Sequence, residues 1–375
     1  MASSALPETL ALQRMYQWEK SSPDKVVFTQ PMGGGVVKDY TWKQAVGEVR
    51  RMAAYLKGLG FEPGTRIAML AKNTAHWMMA DWAIWMAGHV SVPLYPTLNA
   101  ATVRQILEHS EAKLLLVGKL DGWNDMKGGV PEGLPMITLP LAPKVPGAGS
   151  WDEIIAKTAP MTDNPVRLAD EMCTLIYTSG TTGKPKGVRL MQESWTYTAA
   201  AMDSMGVLSD KDLNYLWLPL SHAFGKVMLA LPLAVGFPTV IDGRVDKIVE
   251  NLGIIRPTIM GAVPRIFEKV HGRITEMMAK EGGLKKTMFD WAVGVGVQVS
   301  RVRQAGHNVS PVLSAQYKLA DKLVLSKIRD RFGGRLRFFI SGSAALDREI
   351  AQWFDAIGVV VLEGYGLTET SAASS

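Results

Sequence analysis

At 375 residues the chain is long enough for two or three compact units, and a composition 47% hydrophobic and 20% charged excludes a disordered chain. Net charge is +6, which favours anionic small molecules or acidic membrane surfaces; the basic residues are spread along the chain, and no block of five or more suggests a nucleic-acid arm. A single cysteine, Cys173, excludes an internal disulfide framework and fits a reducing compartment, and its neighbours Met172, Leu175 and Ile176 make it read as a buried, inert thiol.

The N-terminal stretch MASSALPETLALQRMYQWEK has no basic start followed by an apolar core, so it does not read as a signal peptide. Thr41, with Gln44 three residues on, has the form of a capping box opening an amphipathic helix. Trp42, Val46, Val49, Ala53 and Leu56 recur at helical spacing until Gly58 and Gly60. RIAMLA (66–71) then reads as a buried strand, AHWMMADWAIWMAG as a mostly buried helix, VSVPLYP as a strand stopped by prolines, Asn99 as the cap of a helix through His109, and KLLLVG as another strand. Strands alternating with helices predict an α/β fold, with mostly parallel sheets flanked by helices.

From Gly118 to Val166 periodicity fades into Gly, Pro and Lys, which predicts a long irregular connection between subdomains of about 1–165 and 166–375. MCTLIYT restarts the α/β pattern as a strand, and GVRL after it is short and β-like. The loop between them therefore joins two strands, a reading supported by Pro185, which disfavours helix at Lys184. PTVI, PTIMGAV, RFFISG and VVVLEGYG are further strands, and a helix starts at Ser310-Pro311 and stops at Gly333-Gly334. Trp217–Ile241, the most apolar long region, is broken by His222, Lys226 and prolines and is no transmembrane helix.

The loop, YTSGTTGKPKGV (177–188), is glycine-rich, hydroxyl-rich and cationic, which suits an anion cradle of backbone N–H groups neutralised by lysine. It does not fit G-x-x-x-x-G-K-[ST], because Thr178 stands where the first glycine belongs and Pro185 follows Lys184. A solvated turn uses the same residues, so the loop by itself leaves both readings nearly even.

Two further segments break that tie: LPLSHAFG (218–225) and EGYGLTET (363–370). Together with the loop, and in this order over about two hundred residues, they closely resemble the adenylate-forming enzymes, the group of acyl-CoA synthetases, luciferases and peptide-synthetase adenylation domains. Arg256-Pro257-Thr258 and Val263-Pro264-Arg265-Ile266-Phe267-Glu268-Lys269 are similar to the AMP-forming long-chain fatty acyl-CoA synthetases, as is the segment from Tyr40 to Asn73. The resemblance covers essentially the whole chain. It implies the reaction of fatty acid, ATP and CoA to acyl-CoA, AMP and pyrophosphate through an acyl-adenylate, with ATP, Mg²⁺ and coenzyme A as cofactors or co-substrates.

The residue chemistry suits that reaction. A carboxylate must attack the α-phosphorus of ATP although both are anionic, so positioned cations and N–H donors lower the barrier. Ser179, Gly180, Thr181, Thr182, Gly183 and Lys186 are the candidates at the phosphates; Lys184, before Pro185, reads equally as a solvent-facing residue. Glu369 is the candidate magnesium ligand, and Thr178 is carried over from the family as a nearby metal contact. The resemblance also places Glu363, Gly364, Tyr365, Gly366 and Thr368 around adenine, with Gly342, Ser343 and Ala344 passing beside it. His222 stands in an apolar wall, where most histidines are satisfied core residues; the family position implies a role near the substrate carboxylate or phosphate, so Lys186, His222 and Glu369 are the catalytic candidates.

The family continues with an aspartate for the ribose hydroxyls, a hinge and a small mobile domain carrying the adenylation lysine, and none of these maps onto this sequence. The expectation is an amino-terminal large domain whose activity alone is impaired. Another adenylate-former, for aryl or amino acids, and a non-catalytic nucleotide- or fatty-acid-binding remnant remain as alternatives. The expected setting is cytoplasmic, without nucleic acid, and basic balance plus an apolar substrate are compatible with peripheral membrane contact.

Overall fold

The computed structural model describes residues 7–179, 185–372 and 374. The chain forms two compact units, one of residues up to Lys211 with Leu216–Gly243 and Leu367–Ser374, the other of Asp212–Tyr215 and Arg244–Gly366.

In the first unit a sheet runs in the order Gly149–Ser150, Met136–Thr138, Leu114–Val117, Arg66–Leu70, Val90–Leu94, Met172–Ser179, Pro185–Met191. Every pairing in it is parallel except the last. Its strands Leu114–Val117 and Val90–Leu94 are buried along their whole length, as expected of parallel strands covered on both faces and of the apolar runs LLLV and VSVPL. The same unit holds an antiparallel hairpin, Val26–Gly33 with Val36–Thr41, whose first strand pairs in parallel with Thr239–Ile241. In the second unit Ile259–Ala262, Phe338–Ser341 and Val360–Glu363 run parallel, and Asn214 pairs with Ile259.

Local chemistry sets the helix ends as the sequence predicts. Thr41 and Gln44 form a reciprocal capping box on helix Trp42–Gly58, and Asn99 accepts the Thr102 N–H at the start of helix Ala100–Ser110. Ser310 caps helix Pro311–Ala320, which passes through a π turn, Asp321–Leu325, into Ser326–Asp330 before Gly333 and Gly334 end it at positive φ. Helix Ala75–Met86 is buried at every position, so it shows no polar face at all. Among the described residues no helix is long and apolar enough to cross a membrane.

Two expectations need revision. The segment from Gly118 to Val166 is not one irregular connection: it supplies two short strands to the sheet and helix Trp151–Lys157, whose Trp151 and Ile154 are buried. Nor do the units meet at residue 165, because Met172–Ser179 pairs with Val90–Leu94 and holds the chain up to Lys211 in the first unit.

Candidate active site

The glycine-rich loop leaves one strand of an antiparallel hairpin and returns on the other, as Pro185 and the short GVRL segment predict. Gly180, Thr181, Thr182, Gly183 and Lys184 lie outside the described residues. On the strands that hold the loop, Thr178 faces Lys186, Ser179 faces Pro185 and Tyr177 faces Gly187. Lys186 is exposed, and its ammonium has no ion-pair partner among the described residues.

Tyr177 ties the hairpin to its surroundings. Its hydroxyl lies 2.7 Å from His109 Nδ1 on the adjacent helix, and burial raises the phenol pKa, so it stays protonated. A Cβ on Gly187 would lie 3.0 Å from Leu175 Cδ1 and 3.4 Å from the Tyr177 ring, so the glycine leaves room for both side chains.

The LPLSHAFG segment turns on Asn73, which follows strand Arg66–Leu70. The Asn73 amide donates to Leu218 O at 2.6 Å and its carbonyl accepts from Leu220 N–H at 3.1 Å. The His222 N–H then closes a turn on Pro219 O, and the His222 ring caps helix Ala223–Val235, Nδ1 accepting from Phe224 N–H at 3.1 Å. Burial depresses the His222 pKa, which agrees with an Nδ1 that accepts and must carry no proton. Tyr95, pushed up to about 12 by burial, lies edge-on to this imidazole.

One turn further along, Lys226 is wholly buried. Its ammonium donates to Asp81 Oδ1 at 2.7 Å and to Ser91 Oγ at 3.2 Å, with the rings of Trp77, Trp85 and Trp195 between 4.9 and 5.6 Å away. Burial pushes the Asp81 carboxyl up while the Lys226 charge pulls it down. Sequence reasoning used Lys226 only as a charge interrupting the apolar run Trp217–Ile241, and it missed Asn73, Asp81 and His109 as well. A charged residue inside each apolar helix was the available signal for the Lys226–Asp81 pair.

Glu369 sits in a 3-10 turn, Thr368–Thr370, at the point where the chain has rejoined the first unit. This turn packs on strand Pro185–Met191, the strand that carries Lys186, and Thr198 Oγ1 anchors it by donating to Ser371 O at 3.1 Å. The Glu369 carboxylate is exposed, with no hydrogen-bond or ion-pair partner among the described residues. No group of three or more His, Cys, Asp and Glu among the described residues could form a metal cage.

The other candidates gather in the second unit. Gly342, Ser343 and Ala344 follow strand Phe338–Ser341, and Glu363, Gly364, Tyr365 and Gly366 end or follow its parallel neighbour, with Ser341 opposite Glu363. Gly364 N–H donates to Ser341 O at 2.8 Å, and Ser343 adopts φ +71°. Both segments thus leave the carboxyl ends of adjacent parallel strands, where α/β sheets place their ligands. Tyr365 is exposed there.

The solved structures that this fold resembles include a benzoate CoA ligase from Burkholderia xenovorans (TM-score 0.71, 21% identity, 97% of this chain and 62% of that one). An acyl-CoA synthetase from Brucella canis is another (TM-score 0.72, 18% identity, 96% and 57%). Among curated sequences, fatty acyl-CoA synthetase A of Dictyostelium discoideum is 30% identical over 98% of this chain and 56% of its own length. The long-chain-fatty-acid–CoA ligase FadD15 of Mycobacterium tuberculosis is 29% identical over 95% and 60%. The chain therefore spans a little more than half the length of these relatives. The AMP-binding enzyme family model matches residues 15–375, and the protein belongs to that family.

Proposed function

We propose that this chain carries the acyl-adenylate-forming machinery of an ATP-dependent long-chain fatty acid–CoA ligase. The observation that carries the reading is the meeting, on contacting elements of one unit at the base of the glycine-rich loop, of an exposed Lys186 and an exposed Glu369, each unpaired among the described residues. Two opposite charges held so close to each other's elements and left without partners are what a site for a polyanion with its cation requires. Long-chain relatives near 30% identity support the fatty acid over other carboxylic acids; the benzoate ligase shares the fold, which says nothing of the acid.

In the proposed reaction a fatty-acid carboxylate oxygen forms a bond to the α-phosphorus of ATP while pyrophosphate leaves, and the thiol of coenzyme A later displaces AMP from the acyl carbon. Lys186, the hydroxyls of Thr178, Ser179, Thr181 and Thr182 and the amides of Gly180 and Gly183 offset phosphate charge. His222, neutral and carrying its proton on Nε2, donates to the substrate carboxylate or phosphate. Gly342–Ala344 and Glu363–Gly366, with Thr368, receive the adenine end. The donor set of one free carboxylate and one hydroxyl, Glu369 and Thr178, fits a magnesium ion that keeps waters and phosphate oxygens, not an all-protein cage. Such an ion supplies charge neutralisation at the triphosphate.

Calorimetric binding of non-hydrolysable acyl-sulfamoyladenosines to the 375-residue chain tests this. Palmitoyl should bind more tightly than benzoyl by several orders of magnitude, since each buried CH₂ contributes about 0.8 kcal/mol. Lys186→Ala should weaken ATP binding by roughly one to two decades, and Glu369→Gln should abolish its enhancement by magnesium. A benzoyl or aminoacyl analogue that binds more tightly than palmitoyl would reassign the substrate class.

A further inference from the structure

The helices of the second unit carry charge that the nucleotide chemistry does not use. Residues 264–335 hold fourteen Lys and Arg against six Asp and Glu, whereas the rest of the chain holds twenty-seven against twenty-nine. The net +6 of the whole chain thus divides into +8 on this segment and −2 elsewhere. No basic run marks the segment; a scarcity of acids does. Ion pairs inside the segment occupy Glu276, Glu281, Asp290 and Asp321. Lys269, Arg273, Arg301, Lys318, Lys322 and Lys327 have no ion-pair partner among the described residues.

The segment folds as helices Pro264–Glu281, Gly283–Gln304 and Pro311–Ala320, followed by the π turn and Ser326–Asp330. Helix Gly283–Gln304 buries Phe289, Ala292 and Gly296 and packs on helix Arg348–Ala356, with Gly296 so close that a Cβ would lie 2.2 Å from Ala356 O. It exposes Leu284 (75%) and Trp291 (37%), which lie two turns apart. Helix Pro311–Ala320 buries Ala320 and exposes Val312 (70%) and Leu319 (51%), two turns apart on one face, with Lys318 and Lys322 exposed beside them.

We infer that this helical segment is a docking surface for an anionic lipid bilayer. Phosphate headgroups complement the unpaired lysines and arginines, each worth about fivefold in binding near such a surface. The exposed Val312, Leu319 and Leu284 can enter the headgroup–acyl boundary, as apolar side chains between lysines do on interfacial helices. A nucleic acid would satisfy the charge but leave those apolar side chains in water, so the lipid accounts for both features. The inference is independent of the acid that the nucleotide site activates.

The test is co-sedimentation of the full chain with vesicles of phosphatidylcholine alone or with about one third phosphatidylglycerol, at about 0.1 M salt. Binding to the anionic vesicles should exceed binding to the neutral ones by tenfold or more. Lys318→Glu with Lys322→Glu should lower it by a further tenfold at least, and Val312→Ser with Leu319→Ser by about tenfold. All four positions are solvent-exposed, so circular dichroism should show the native fold in both variants. Equal binding to the two kinds of vesicle, no binding to either, or variants that bind like the parent would overturn the inference. A short DNA duplex that displaces the anionic vesicles and is itself insensitive to the Val312 and Leu319 changes would assign the charge to nucleic acid instead.

Discussion

The hydroxyl of Tyr177 and Nδ1 of His109 meet at 2.7 Å, which ties the strand entering the glycine-rich loop to the helix beside it. Tyr177 lies one residue before Thr178, so this bond sets where the loop starts. Tyr177→Phe should cost about 1 kcal/mol of stability, the usual contribution of such a bond. In urea unfolding, a double cycle with His109→Leu should give a coupling energy of about 0.5–1.5 kcal/mol. Strict additivity would mean that the two side chains act independently. Binding of ATP should weaken in Tyr177→Phe, because part of the binding energy then orders the hairpin.

Gly225 closes the LPLSHAFG segment for a steric reason. A Cβ there would lie 2.1 Å from the Pro219 carbonyl oxygen and 2.7 Å from its carbon, both backbone atoms that cannot rotate away. Gly225→Ala should destabilise the chain by about 3 kcal/mol, the upper part of the range for overpacking. Gly294→Ala is the control, because its Cβ would meet nothing within 4 Å and it lies inside a helix. That change should raise stability by about 0.5–1 kcal/mol. Thermal unfolding of the two variants beside the parent separates the effects.

Lys226 and Asp81 form an ion pair with both side chains buried, so removing one partner strands the other charge. Lys226→Met should cost about 3–5 kcal/mol, and the double change Lys226→Met with Asp81→Leu should recover most of it. Cys173 provides a reporter in the unmodified sequence. It is buried and its thiol is pushed up to about 12 by burial, so a thiol reagent should react only after opening. Its labelling rate should rise in Lys226→Met and return toward the parent's in the double variant.

His222 gives the site a signed pH dependence. Its folded pKa is depressed by burial, so the unfolded chain takes up the proton first as pH falls. The stability that neutral His222 contributes is complete above its unfolded value of about 6.5 and declines as pH drops from there toward the folded value. Nitrogen chemical shifts should place the proton on Nε2 at neutral pH, and the titration midpoint should fall under about 6.5. Asn can cap the same helix without titrating, so His222→Asn should hold stability at pH 7 and flatten its slope in mild acid. A midpoint above the ordinary histidine value would contradict the geometry at Nδ1.

What the sequence determined by itself is local. Thr41 with Gln44, Asn99 with Thr102 and Ser310 with Leu313 are partners three residues apart, so the chain brings them together without help from the rest of the fold. The apolar runs of the parallel strands were legible for the same reason, since burial on both faces leaves a continuous signal. The motifs that pointed to the AMP-binding family are likewise contiguous, because backbone close to phosphate or adenine is built from neighbouring residues. Strands of two or three residues, Gly149–Ser150 and Met136–Thr138, are too short to display any period, so they were lost in the Gly- and Pro-rich text around them. Only the tertiary structure joined Tyr177 to His109 across 68 residues, and Asn73 to Leu218 and Lys226 to Asp81 across 145. It also returned the turn of Glu369 to the strand of Lys186. Such partners are chosen by which buried groups need charge or hydrogen bonds once the sheet and helices have packed, and the order of residues along the chain does not carry that information.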